Sequence, residues 1–302
     1  MANPIIEDIK LKVRSGNPIT RLIIINIAVF LTISILRILL FLTGDATSFA
    51  GFVDSFIENI SFPLRISGFM QKPWTLITYM FTHINLPHIL WNLVTLYWFG
   101  QILSDYTSTK KIIPLYLLGG IAGALFTIIL FTIIPAFYPY VGSTMVGASA
   151  GITAIIIASA TLVPNYRMNL LFIGPVKLLY VALFVLFIDV LNVASYDNIG
   201  GNMAHLGGAL MGYIFIVQYK KGRDWSLWIN RFFDWVKNLF KISPKSKMKV
   251  EYKRKVSDEE YNHNKRITQE QIDLVLDKIS KSGYESLSKA EKDFLFKASN
   301  KK

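Results

Sequence analysis

Six apolar stretches divide the first 221 residues of the chain, and polar or glycine- and proline-containing segments separate them. A run of about 20 apolar residues covers the hydrocarbon thickness of a bilayer when it forms an α-helix. The pattern therefore predicts an all-α fold, a polytopic bundle of six transmembrane helices. The predicted spans cover residues 19–42, 73–103, 112–134, 147–163, 176–193 and 201–219.

The fourth span, residues 147–163, is too short to cross about 30 Å of hydrocarbon. Its start must therefore lie below the membrane surface. Irregular backbone at that depth has to be buried in protein or to line a water-filled cavity. The sequence predicts that this helix begins at an internal cavity, and that its first residues line that cavity.

The segments outside the spans have patterns of their own. Residues 43–73 are expected to form a mixed loop at the interface. Residues 224–241 are rich in Trp, Phe, Leu and Ile and contain Arg231, Lys237 and Lys241, as in a helix that lies on a membrane surface. A charged linker follows, and Thr268, Gly283 and Ser288 carry the start and stop signals of a helical hairpin. The predicted divisions are an N-terminal arm (1–18), the six-span core (19–221), the amphipathic helix with its linker (222–266) and the small hairpin (267–302).

Composition agrees with a membrane protein. The chain is 52% hydrophobic and only 17% charged, and it has no cysteine, which excludes disulfides, thiolate catalysis and cysteine-ligated zinc. The net charge of +12 lies mostly after residue 219, which favours contact with anionic lipid over nucleic acid.

Basic residues also gather in the loops on one side of the predicted bundle. The positive-inside rule places that side, and with it both termini, in the cytoplasm. The start of the fourth span then opens toward the outer face. We expect a multi-pass protein of a bacterial inner membrane.

Two polar residues stand out on faces of small side chains. Ser149 opens the fourth span beside Ala150, Ala154 and Ala158, which repeat at i+4. His205 in the sixth span shares a face with Gly208, Ala209 and Gly212. Such faces let two helices approach closely. Alone, either residue suits a cap or an interhelical hydrogen bond; together they predict a hydroxyl activated by an imidazole base.

The second predicted span carries His83, His88 and Asn92. His88 and Asn92 are four residues apart and share one helix face. Imidazole and amide groups can donate to a developing oxyanion, although they can equally form a polar seam between helices.

Asp189, in the fifth span, leaves two further interpretations open. With His83, His88 and His205 it would make a carboxylate–imidazole set for zinc, but the spacing of five between His83 and His88 does not suit one helical face. It would also complete a triad with Ser149 and His205. A polar residue near the outer end of the span is the simpler interpretation, and we predict neither a metal nor a third member.

These residues resemble the three signature motifs of the rhomboid intramembrane serine proteases. The run from His83 through His88 to Asn92, the Gly147-Ala148-Ser149 element and the Ala204–Gly208 element occur in that family's order, within a six-span frame covering about residues 17–221. Each motif is weak alone, whereas the ordered set is highly specific.

The resemblance implies a serine endopeptidase with Ser149 as nucleophile and His205 as base. It implies an oxyanion site from His88, Asn92 and the Ser149 backbone N–H, supported in the pocket by His83, Gly147, Ala148 and Gly208. The implied substrates are transmembrane proteins cut near the outer end of their helix, and no cofactor is implied.

The chain departs from the family pattern at four places. Ala150 stands where a glycine is usual, and Thr153 replaces a tyrosine against which the imidazole packs. The first outer loop has Arg65 without its usual tryptophan, and the second span ends in Ser104 followed by Asp105. These changes concern the support of the site more than its chemistry.

Two other functions are compatible with the same residues. One is an inactive relative that binds membrane helices, and the other is a transporter with an ion pathway through His83, His88 and Asp189. The predicted partners are transmembrane substrates and the lipid bilayer, with no nucleic acid. Residues 267–302 add the hypothesis of a cytoplasmic docking or self-association module.

Overall fold

The computed structural model of the chain describes residues 16–42, 46–170, 173–196, 198–239 and 258–299. The predicted N-terminal arm and most of the predicted linker lie outside these residues. The chain divides into two compact units, Met1–Lys241 and Ile242–Lys302. Both are mostly helical in their described parts.

The first unit contains ten α-helices and four short strands in its described residues, and three 3₁₀ turns connect some of them. The helices are α1 (Pro18–Leu42), α2 (Ala46–Ile60), α3 (Ile66–Gln71), α4 (Thr75–Thr78), α5 (Leu86–Tyr106), α6 (Ile112–Ile133), α7 (Ser149–Leu162), α8 (Leu178–Ala194), α9 (Ile199–Lys220) and α10 (Ser226–Leu239). The strands are β1 (Phe62–Pro63), β2 (Thr144–Met145), β3 (Arg167–Leu170) and β4 (Gly174–Lys177).

The strands correct the all-α prediction. Strand β1 pairs antiparallel with β2, with Phe62 opposite Met145, and β3 pairs antiparallel with β4. The first pair ties the segment after α2 to the residues just before α7. Hydropathy did not indicate these strands because each is two to four residues long and lies between stronger helical signals.

Two predicted boundaries were also wrong. The predicted loop at 43–73 contains the helices α2 and α3. The predicted second span at 73–103 is broken, because α5 begins only at Leu86. Asn85 caps α5 by accepting a hydrogen bond from the backbone N–H of His88 at 2.9 Å, and Pro87 occupies the first turn, where proline is tolerated. His83 therefore precedes the helix that carries His88 and Asn92.

Helix α7 lies at the centre of the unit and packs against α5, α6, α8 and α9. From Ala150 to Ala160 its residues are buried. Its contact with α9 is made through backbone: a Cβ added to Gly208 would clash with the carbonyl oxygen of Ala150, and one added to Gly212 with that of Ala154. The predicted close approach of two small-residue faces is therefore present.

Two buried tyrosines hold the segment before α5 against α6. The hydroxyl of Tyr79 donates to the carbonyl of Gly120 at 2.6 Å, and that of Tyr116 donates to the carbonyl of Met80 at 2.6 Å. The Tyr79 carbonyl accepts from the backbone N–H of Gly147 at 2.8 Å. Residues 79–83 are thus fixed both to α6 and to the entry of α7.

Among the described residues, two stretches are long and apolar enough to cross a membrane, Pro18–Leu39 and Thr109–Ile133. Helices α7 and α8 are apolar but shorter. Length and hydropathy thus give two spans, and the six-span arrangement stays a prediction.

A partly buried ion pair fixes the turn between α9 and α10. Lys111 Nζ lies 2.7 Å from Asp224 Oδ2 and 4.6 Å from the ring centre of Tyr219. Burial by itself raises the pKa of Asp224, but hydrogen bonds from Lys111 and Ser226 outweigh it, so the pKa is lowered. The helix that follows, α10, begins two residues after the expected start of the amphipathic segment.

The second unit contains α11 (Asp258–Ser282) and α12 (Lys289–Ser299), joined by a 3₁₀ turn. Gly283 ends α11 as predicted, with φ +78°, and Ser288 and Glu291 form the predicted reciprocal capping box. Hydrogen bonds from Lys278 and then Ser288 lower the pKa of Glu291 to about 2. The predicted start at Thr268 was wrong, because α11 begins ten residues earlier and that residue lies inside it.

The contact between α7 and α9 predicts the effect of one added methyl group. Gly212→Ala gains about 1 kcal/mol of helix propensity. Its Cβ would, however, overlap the Ala154 carbonyl, which is backbone and cannot move alone, so we expect a steric cost of about 3 kcal/mol or more. We expect a lower midpoint of thermal unfolding in detergent. Gly51→Ala is the matched control, because that helical glycine has open space around its Cβ position. An equal or higher midpoint for Gly212→Ala would contradict the close contact.

Candidate active site

Ser149 and His205 meet where α7 and α9 are in closest contact. Ser149 is the first residue of α7, and its Oγ lies 2.6 Å from His205 Nε2. His205 lies on α9 three residues before Gly208, the glycine that packs on the Ala150 carbonyl. The glycine contact therefore sets the distance between the hydroxyl and the imidazole. This is the geometry in which an imidazole can take the proton of a hydroxyl.

The second ring nitrogen of His205 faces Asp189 on α8. Nδ1 lies 2.7 Å from Asp189 Oδ1. Asp189 is thus a polar residue near the end of its helix, as expected, and it also has a partner that the sequence did not indicate. The available signal was a carboxylate in an otherwise apolar run, but periodicity within α8 does not show that this face meets α9.

His83, His88 and Asn92 come together on the other side of Ser149. Asn92 Nδ2 donates to the carbonyl of His88 at 3.0 Å and lies 3.3 Å from His83 Nε2. The backbone N–H of Ala148 also points at His83 Nε2, at 3.4 Å. With two donors at Nε2, that nitrogen is the acceptor and the ring proton belongs on Nδ1. Both hydrogens of the Asn92 amide are thus engaged.

Gly147 lets the His88 ring approach the start of α7. Its φ of +125° is a conformation that favours glycine. A Cβ added there would lie 2.9 Å from His88 Cε1, 3.0 Å from His88 Nε2 and 3.7 Å from Ser149 Oγ. The imidazole edge therefore lies over the Gly147 backbone, close to the serine hydroxyl.

The first turn of α7 adds backbone donors to this arrangement. The first N–H groups of a helix have no partner within the helix, and they carry its partial positive charge. Ser149 contributes such a group, and it lines the same cavity as Asn92 and follows Gly147, which the His88 ring approaches, by two residues. These donors can together bind an oxygen that develops negative charge.

A cavity of about 340 Å³ opens beside the two catalytic candidates, bounded by α5, α7 and α8. Ser149, His205, Asn92 and Asp189 lie in its wall. The rest of the lining is largely apolar and aromatic, as at Trp91, Trp98, Ile152, Ile156, Phe184 and Ile188. The cavity predicted at the start of the short helix is present, and it suits an apolar polypeptide segment.

The same residues do not form a metal site. No group of three or more His, Cys, Asp or Glu side chains within the described ranges can hold a metal ion. The rings of His83 and His88 face each other edge to face, 5.0 Å apart, and Asp189 Oδ1 is bonded to His205. The carboxylate–imidazole set considered for zinc is therefore not assembled.

Two family models match the chain. The model of the rhomboid domain matches residues 70–221, which is half of the chain. A second model, a family of unknown function (DUF6576), matches residues 256–301, which include both helices of the second unit.

Two curated relatives are similar in sequence. The RHOMBOID-like protein 12, mitochondrial, of Arabidopsis thaliana is 31% identical over 183 residues, 57% of this chain and 54% of the relative. The Rhomboid-related protein 1 of Caenorhabditis elegans is 32% identical over 148 residues, 48% of this chain and 39% of the relative. The chain thus spans about half or less of the length of these relatives.

The close approach at Gly147 predicts a specific sensitivity. Gly147→Ala adds backbone strain of about 1–3 kcal/mol and a clash with the His88 ring. Gly174→Ala is the matched control, because Gly174 has a φ of +90° but open space around it. We expect the thermal midpoint in detergent to fall further for Gly147→Ala. Equal shifts would show that the ring does not lie where the structure places it.

Proposed function

The chain belongs to the rhomboid family, and we propose that it is an intramembrane serine endopeptidase. It hydrolyses peptide bonds of transmembrane protein substrates near the outer membrane face. The observation that carries the proposal is the 2.6 Å contact between Ser149 Oγ and His205 Nε2 at the wall of an apolar cavity. A serine that only caps a helix has no reason to lie beside both an imidazole and a cavity.

In the acylation step the Ser149 oxygen attacks the substrate carbonyl carbon while His205 Nε2 takes the hydroxyl proton. The carbonyl oxygen becomes an oxyanion. When the C–N bond breaks, Nε2 gives its proton to the leaving amine, and an acyl-enzyme remains. Water then attacks the carbonyl carbon of the acyl-enzyme while Nε2 takes one of its protons. The ester C–O bond breaks, Nε2 returns the proton to the Ser149 oxygen, and the second product leaves as a carboxylic acid.

We assign the oxyanion site to His88, Asn92 and the Ser149 backbone N–H. These donors are positioned before substrate arrives, since Asn85 caps their helix and Gly147 admits the His88 ring. The oxyanion would replace the longer of the two Asn92 contacts, the one to His83. Acyl transfer of this kind needs no cofactor, and we propose none.

We propose that α1, α5, α6, α7, α8 and α9 are the six membrane-embedded helices. At 1.5 Å per residue, α5 and α9 are each roughly 30 Å long, enough to span. Arg21, Lys110 and Arg231 line one cavity of about 520 Å³, which supports a common basic face. That face and both termini are then cytoplasmic, in a bacterial plasma membrane. Because the chain has no cysteine, single-cysteine labelling from either side tests this topology.

We propose that α10 lies on the inner leaflet. Its exposed Leu227, Trp228 and Trp235 suit the interface. The second unit exposes Leu274 and Phe296, which supports a docking or self-association role for residues 267–302. Deletion of residues 245–302 tests that role.

Labelling by a fluorophosphonate, which reacts with activated serines, tests the nucleophile and its base. Wild-type protein in membranes should be labelled and should cleave a helix-destabilised transmembrane substrate. Ser149→Ala removes the attacking oxygen, and His205→Ala removes the base. Both variants should therefore lose labelling and cleavage.

Ser159→Ala is a matched control on α7, because it removes a buried hydroxyl bonded to the Phe99 and Ile155 carbonyls, away from the site. It should keep its labelling. Persistent labelling of Ser149→Ala would disprove the nucleophile. A wild type that neither labels nor cleaves but binds membrane helices would be an inactive relative.

Asn92→Ala tests the oxyanion site. Loss of one such donor typically costs about 2.7–4 kcal/mol of transition-state stabilisation. Cleavage should slow roughly a hundredfold or more, while the folded fraction at the assay temperature stays unchanged. Measurement of kcat beside thermal unfolding separates the two effects. A loss of stability with a rate per folded molecule near wild type would mean that Asn92 is only a structural link.

A further inference from the structure

We propose that Asp189 is a positioning residue for His205, so that the Ser149–His205 pair has a third, supporting member in this chain. The inference rests on the proposed function of Ser149 and His205. It adds a third residue, on a third helix, to which neither the family match nor the relatives' names assign a role.

With Asp189 as a carboxylate, the two contacts of His205 assign different roles to its ring nitrogens. An ionised carboxylate can only accept, so the 2.7 Å contact with Oδ1 requires that Nδ1 carries the proton. Nε2 of the neutral ring is then bare and faces Ser149 Oγ. Asp189 therefore selects the tautomer in which the nitrogen next to the serine can take a proton.

The burial of Asp189 and its lack of other partners among the described residues support a role in holding His205. The residue is only 5% exposed, and its second oxygen, Oδ2, is buried with no hydrogen-bond partner in the described part of the chain. A buried carboxylate with one partner is unfavourable for folding alone. The positive charge that His205 gains during the reaction would compensate for it.

The two helices that carry the pair are consecutive in the chain. Helix α8 ends at Ala194 and α9 begins at Ile199, so a short turn joins the helix of Asp189 to that of His205. Tyr196 and Asn198, between the two helices, both have positive φ.

Thr153, four residues after Ser149, also lines the cavity, but it has no ring that could hold the imidazole by stacking.

During acylation the Ser149 proton moves to Nε2, and the ring becomes an imidazolium with protons on both nitrogens. The Nδ1 proton stays on His205, hydrogen-bonded to Asp189 Oδ1. The carboxylate stabilises the new positive charge and keeps the ring aimed at Ser149. When Nε2 protonates the leaving amine, the ring returns to the same neutral tautomer.

Nitrogen-15 NMR of histidine-labelled protein in detergent tests the tautomer directly. The chain has four histidines, and the spectrum of His205→Ala assigns the signal by difference. At neutral pH the wild type should show a protonated Nδ1 and a bare Nε2. Asp189→Asn should shift the ring toward the opposite tautomer, since the amide can donate to Nδ1. A wild-type ring with the proton on Nε2 would overturn the proposal without any activity measurement.

Kinetics on the same proteins give the second test. Asp189→Asn conserves volume, and we expect kcat to fall about a thousandfold or more while KM changes little. The rate of fluorophosphonate labelling should fall in parallel. Asp189→Glu, which keeps the carboxylate, should recover part of the rate. Asp105→Asn, at the exposed end of α5, is the control for loss of one negative charge and should match wild type.

The outcomes separate this proposal from the one on which it rests. A wild type that is active and depends on Ser149 and His205, with Asp189→Asn within about tenfold of it in kcat, would leave the protease intact and overturn the positioning role of Asp189. A folded wild type with neither labelling nor cleavage would contradict both the proposed protease function and the role of Asp189 in it. If Asp189→Asn fails to fold, the wild-type NMR spectrum still decides, because the tautomer is measured in the unaltered protein.

Discussion

The contact between the backbones of α7 and α9 is the constraint on which the rest of the site depends. Gly208 and Gly212 leave no side chain between these helices, and the carbonyls of Ala150 and Ala154 occupy that space. Without this approach a hydroxyl on one helix could not reach an imidazole on the other. Small residues therefore contribute to the site because they let the two helices approach closely. That approach brings polar side chains into contact inside an apolar bundle.

The donors on the other side of Ser149 depend on a different set of contacts. Tyr79 and Tyr116 bond across to backbone carbonyls, and the Tyr79 carbonyl accepts from Gly147. The segment that carries His83 is thereby held against the residue that opens α7. The site is assembled where two separately supported parts of the fold meet, which favours a geometry fixed before substrate binds.

The sequence was most informative where a contact follows from spacing on one helix. Ser149 and His205 could be paired because each lies on a face of small residues, and the matching faces met as predicted. Asn92 and His88 share a helix turn, as expected. His83 was misplaced because Pro87 and Asn85 set a later helix start. Asp189 was undervalued, because its contact depends on the turn between α8 and α9, which periodicity within one helix does not determine. The strands β1 to β4 are two to four residues long, too short for an alternating apolar and polar pattern to be recognised.

The engaged amide of Asn92 has a consequence for how the proposed enzyme would discriminate. Both of its hydrogens have acceptors at rest, one in the carbonyl of His88 and one in the ring of His83. An incoming oxygen must therefore exchange with an existing partner. A neutral peptide carbonyl gains little from such an exchange, whereas an oxyanion gains a charge-assisted bond. The amide would thus stabilise the oxyanion more than the bound neutral substrate, so its contribution is made in the transition state.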